Sequence, residues 1–61
     1  MKVYQITGGP LYSHIIENNV EKGRIMSSRV VCDGRGLAVE FYGTDHREQA
    51  KKYIEKLERK E

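Results

Sequence analysis

Sixty-one residues leave room for one domain, 1–61, and for no second one. Eleven Lys and Arg stand against nine Asp and Glu, five basic and four acidic before Gly43, six and five after it. A net charge of +2 spread this evenly excludes a basic tail or an acidic arm, and no apolar run reaches membrane-spanning length. The lone Cys32 forms no intrachain disulfide and suits a reducing compartment. The N-terminus lacks the continuous apolar stretch of a signal peptide. A cytoplasmic protein with no membrane partner is therefore expected.

Lys2 to Thr7 alternates weakly, and Val3, Tyr4 and Ile6 give it strand propensity. Gly8-Gly9-Pro10 breaks that strand, because proline cannot donate to a ladder.

Leu11 to Lys22 admits two readings. Leu11, Tyr12, Ile15, Ile16 and Val20 fall on one helical stripe, Pro10 suits a first turn and Gly23 suits a C′ position. Against the helix, the residue types are poor helix formers and Glu17 repels Glu21 at i,i+4. A strand from Leu11 to Glu17 would place Ile15 and Ile16 on opposite faces and leave one uncovered. The helix is the preferred reading.

Arg24 to Tyr42 predicts a β-hairpin closed by Asp33-Gly34-Arg35-Gly36, residues that tolerate positive φ. Pairing Cys32 with Leu37 sets Val30 opposite Val39, Ser28 opposite Phe41 and Arg29 opposite Glu40. One face then carries Met26, Val30, Cys32, Leu37, Val39 and Phe41. The other carries Ile25, Ser27, Arg29, Val31, Ala38, Glu40 and Tyr42. After Gly43 a helix begins at Asp45, with Glu48 at capping-box spacing and Thr44 as an alternative cap. Ala50, Tyr53, Ile54 and Leu57 repeat at i, i+3, i+4 and i+7, and Glu48–Lys52 and Glu55–Arg59 pair in the favourable order. The fold class is thus α+β: β-α-β-β-α with a central antiparallel hairpin under the C-terminal helix, or ββββα, a four-stranded antiparallel meander plus that helix.

Chemistry is sparse. Cys32 with His14 or His46 has the residue types of a nucleophile and base, yet Cys32 falls on the face expected to be buried, where free cysteine acts as a small hydrophobe. His46 lies in the first turn of the last helix, where a capping role outweighs a ligand or base. No spacing matches a zinc or calcium site, so no metal, cofactor or catalytic residue is assigned. Gly8-Gly9-Pro10 lacks the Lys-Ser/Thr of a P-loop and the three-glycine dinucleotide pattern. Lys51, Lys52, Lys56, Arg59 and Lys60 alternate with glutamates, which reads as a solvated helix face. What is left is a partly apolar second sheet face with Arg35 at the hairpin tip. Arg29, Val31, Arg35 and Tyr42 are the expected interaction residues. A non-enzymatic protein-binding or regulatory module of adaptor or inhibitor type, self-associating as a homodimer, is the leading expectation. A nucleic-acid-binding protein using the same face and tip is the alternative.

Overall fold

A computed structural model describes residues 1–59. The order is β1 (Lys2–Gly8), β2 (Tyr12–Glu21), β3 (Arg24–Val30), β4 (Glu40–Tyr42) and α1 (His46–Arg59), a small α+β domain with four antiparallel strands and a C-terminal helix. The ββββα order therefore holds, and the helix expected over Leu11–Lys22 is a strand. Two local features favour that outcome. Tyr12, Ile15, Ile16 and Val20 are β-branched or aromatic, suited to a pleated surface. Lys22 and Gly23 both take positive φ, 51° and 76°, which is the two-residue primed turn that joins twisted antiparallel strands. Gly23 turns a hairpin instead of ending a helix.

β2 is the centre of the sheet. β1 pairs along one edge, from Lys2 opposite Asn19 to Gly8 opposite Ser13. β3 pairs with the C-terminal half of the other edge, with Ile16 opposite Val30 and Glu17 opposite Arg29. A bulge lies beside Asn19 and Val20. β4 takes the rest of that edge, with His14 opposite Glu40 and Tyr12 opposite Tyr42. β3 and β4 thus run as one interrupted strand along β2, and the chain between them leaves the sheet and returns. This arrangement departs from a simple meander, because β4 pairs with β2 and not with β3.

The excursion is a short ladder of its own, and its register differs from the expected one. Cys32 bridges Ala38, Val39 N–H donates to Val31 at 3.0 Å, and Asp33 N–H donates to Leu37 at 2.8 Å. Asp33 and Leu37 therefore bracket a three-residue loop with Gly36 at φ 82°. Pairing is shifted by one residue from Cys32–Leu37, and a one-residue shift exchanges the faces of a strand. Val31 is buried at 8% exposure, while Met26, Val30, Cys32 and Leu37 are exposed. Val39 and Phe41 pack against the core as expected.

Ile15, Val31 and Ala50 form that core, flanked by Tyr4, Ile6, Val39, Phe41, Tyr53, Ile54 and Leu57. The helical stripe beginning at Ala50 thus lands on the sheet as its periodicity requires. α1 starts one residue after Asp45, whose carbonyl accepts from Gln49 N–H at 3.0 Å. The Asp45 carboxylate accepts from the Gln49 side chain at 2.7 Å. α1 packs on β1, β2 and β4 and makes no contact with β3, whose seven residues are all exposed. Among the described residues no helix is long and apolar enough to cross a membrane.

Candidate interaction face

Strand alternation sorts the sheet into two faces. Ser13, Ile15, Glu17 and Asn19 of β2 point toward α1, together with their partners Gly8, Ile6, Tyr4 and Lys2 of β1 and Phe41 of β4. Tyr12, His14, Ile16, Asn18 and Val20 point the other way, where no helix lies. The second face reads as rows across the strands. At one end Met1, held against Val20 by two backbone bonds, stands beside Val20 and Ile25. Val3, Asn18 and Ser28 follow, then Gln5, Ile16 and Val30, then Thr7, His14 and Glu40. Tyr12 and Tyr42 close the far end with ring centroids 6.1 Å apart, and Tyr12 stacks on His14 at 5.9 Å.

Charge is segregated between the faces. The strands hold six Lys, Arg, Asp and Glu residues, and five of them, Lys2, Glu17, Glu21, Arg24 and Arg29, lie on the helix side. Glu40 alone lies on the helix-free side, where it accepts a hydrogen bond from Tyr42 Oη at 3.1 Å. That contact, with the Glu40 charge, pushes the Tyr42 phenol above its usual value of 10.0. Apolar exposure follows the opposite rule. Of the eight large apolar side chains left exposed among the described residues, Met1, Val3, Ile25, Val30 and Tyr42 stand on the helix-free face. An antiparallel sheet with one solvated side normally turns its charged residues to water and its apolar ones to the helix. Beyond the reach of α1 this sheet does the reverse.

The polar groups in the middle of the face are satisfied. Asn18 is only 4% exposed; its Nδ2 donates to Gln5 Oε1 at 2.7 Å, and its Oδ1 accepts from Ser28 Oγ. Three strands are thereby cross-linked through side chains, and the buried Asn18 has both its oxygen and its nitrogen engaged within the chain.

The expected interaction residues do not assemble into one site. Tyr42 stands on the helix-free face, 61% exposed. Arg29 is on the opposite face, ion-paired with Glu17 at 3.1 Å and not with Glu40. Arg35 is at the tip, its guanidinium 3.4 Å from Asp33. Val31 is in the core, because the shifted register turns it toward Ile15. Stacking on Tyr42 with phosphate contacts from Arg29 would need both on one side of the sheet. The residues sequence reasoning missed, Ile16, Asn18, Val20 and Tyr12, all lie in the segment read as a helix.

A second constellation is structural. His46 Nε2 lies 3.2 Å from the Pro10 carbonyl, which can only accept, so Nε2 carries the proton. Nδ1 of a neutral ring then accepts from Ser13 Oγ–H. A hydroxyl beside an imidazole resembles a nucleophile and its base, but Ser13 is 2% exposed and His46 is also buried. The pair ties β2 to the start of α1. Cys32 is apart from it, exposed, and donates to Val30 O. Gly8-Gly9-Pro10 joins two strands, so the helix N-terminus that would hold a phosphate there is missing. No three His, Cys, Asp or Glu side chains converge among the described residues.

Comparison with protein-family models, curated proteins and solved structures finds no match. Function has to be argued from the face itself.

Proposed function

We propose that this chain is a non-enzymatic protein-binding module, of adaptor or inhibitor type, that works through the helix-free face of its sheet. The observation that carries the reading is the segregation of charge away from that face, which leaves five large apolar side chains exposed on it. Interface cores are depleted in charge and enriched in Tyr and Met, as this surface is. A polyanion needs several cations, and the face holds neither Lys nor Arg but only the Met1 ammonium, which donates to Val20 O, so the same observation counts against nucleic acid as the partner. The buried, fully hydrogen-bonded Ser13–His46 pair supports a scaffold role over catalysis. An exposed, unpaired Cys32 fits the reducing cytoplasm.

A photo-crosslinking residue placed at Val30, compared with one at Arg29 on the opposite face, tests the reading in cells of the native host. Protein adducts from position 30 and few from position 29 are expected. Nuclease-sensitive adducts at position 30, or equal protein yields from both positions, would overturn it.

A further inference from the structure

We infer that the occupant of the helix-free face is a second copy of this chain, packed face to face about a twofold axis that crosses the strands near Ile16. The inference rests on reading that face as a protein-binding surface and goes beyond it by naming the partner.

Three observations select a copy of the chain. The first is charge. A surface meets its own copy without cost only if it carries no patch of one sign, and here Glu40 is the single Lys, Arg, Asp or Glu residue among the rows. A twofold axis across the strands sets the Thr7–His14–Glu40 row over the copy's Val3–Asn18–Ser28 row, so the two Glu40 carboxylates stay apart.

The second is shape. The same axis lays the aromatic end, Tyr12 and Tyr42, over the copy's aliphatic end, Met1, Val20 and Ile25, where Met1 and Ile25 are 83% and 63% exposed. Ile16 and Val30 meet their own counterparts at the axis. Bulky rings over flexible and branched aliphatic chains interdigitate better than rings over rings. Asn18 needs no partner from the copy, because its oxygen and nitrogen are already engaged, and Gln5 Nε2 is left to donate to the copy's Gln5 Oε1 across the axis.

The third is area. Three strands about 4.8 Å apart and ten residues at about 3.4 Å each give the face a footprint on the order of 500 Å². Two such faces together approach the roughly 1,000 Å² that separates a specific interface from incidental contact. The chain has reason to use it: Ile15, Val31 and Ala50 are the only buried apolar side chains among the described residues. Sheets packed this way lie about 10 Å apart with strands within about 30° of alignment, and the pair forms a helix–sheet–sheet–helix sandwich.

Sedimentation equilibrium of the full chain from micromolar to millimolar concentration tests the inference. The expected result is a monomer–dimer equilibrium. Ile25→Glu and Val30→Glu alter side chains exposed in the monomer, so circular dichroism should remain that of the wild type. Val30→Glu places two like charges at the axis, and Ile25→Glu sets an unpaired charge under the copy's Tyr42; each should weaken association by at least roughly a hundredfold. Leu37→Glu, at a position about as exposed as Ile25 but on the tip, should leave it unchanged. A monomer throughout the range, or a dimer that survives both face substitutions, overturns the inference. If the wild type is a monomer while the Val30 probe still yields protein adducts, the face binds protein but not its own copy. If neither occurs, both readings fall.

Discussion

At the scale of single residues, Asp33 decides more of this structure than its place at the hairpin tip suggests. Its Oδ1 accepts from the backbone N–H of Arg35 at 2.8 Å and of Leu37 at 3.2 Å, and its carbonyl accepts from Gly36 N–H. A carboxylate that satisfies two amides of a three-residue loop makes Asp33 and Leu37 the closing pair, and that choice turns Val31 inward. Sequence pattern located the turn but not its length, because an Asp that closes a loop and an Asp within one look the same in a string of letters. The two amide bonds, Arg35 first and Leu37 second, hold the Asp33 carboxyl below its ordinary 3.8, with a smaller contribution from the Arg35 side chain. A carboxyl depressed in the folded state contributes stability above its unfolded value, and that contribution is lost as pH falls through the folded one. Between neutral pH and about 4 the tip should be fully closed. Further acidification should expose the Arg35 and Leu37 amides to solvent exchange while α1 persists. Amide NMR across an acid titration checks this, and loss of both elements at a single pH would contradict it. Asp33→Ala should mimic the acid state at neutral pH, and Asp33→Asn, which keeps one acceptor, should mimic it less.

At the scale of elements, α1 was legible and β2 was not, for reasons that lie in their environments. α1 meets solvent on one side and the sheet on the other, so a 3.6-residue stripe is the only pattern that serves it. β2 is paired along both edges, and its alternate residues meet different surroundings: Ile15 under the helix, Ile16 on the uncovered face. A strand reading therefore implies an uncovered isoleucine, which counts as a fault in an isolated monomer. The structure keeps that isoleucine half-buried on the helix-free face, so the apparent fault in the pattern marked the candidate site. What joins the two elements is invisible in sequence, since Ser13 and His46 are 33 positions apart. Ser13→Ala leaves His46 Nδ1 without its donor in a buried setting, and a buried group stranded this way costs about 1–3 kcal/mol. In a domain of this size each kcal/mol lowers the melting temperature by roughly 4–8 °C. Arg29→Ala removes an exposed ion pair and should cost less than about 1 kcal/mol. Thermal denaturation of the two variants at one protein concentration should rank Ser13→Ala well below Arg29→Ala; the reverse order would mean that the buried pair does not hold the helix to the sheet.

At the scale of the whole molecule, extents of 36 × 22 × 20 Å describe a body with a core at one end and a ribbon at the other. α1 covers β1, the N-terminal half of β2 and β4, while β3 and the Lys22–Gly23 turn extend beyond it. Local opening free energies follow buried apolar contact, so the two ends should differ. Val31 N–H donates to Ile15 O at 2.9 Å beneath Ala50 and can exchange only when the core opens. Residues 24–29 have no helix above them and are exposed on both faces, so their amides should exchange through cheaper, local fraying. Hydrogen exchange at micromolar concentration, where monomers dominate, should show the amides at 15, 31 and 50 outlasting those at 25–29 by at least about tenfold. Raising the concentration should then slow exchange at 16, 18, 20, 25 and 30 while the Arg35 amide at the tip stays unchanged, because only the helix-free face meets the second copy. Uniform protection along β2 and β3 at low concentration would show that the ribbon needs no partner to be stable. The physical motive for association would then be gone.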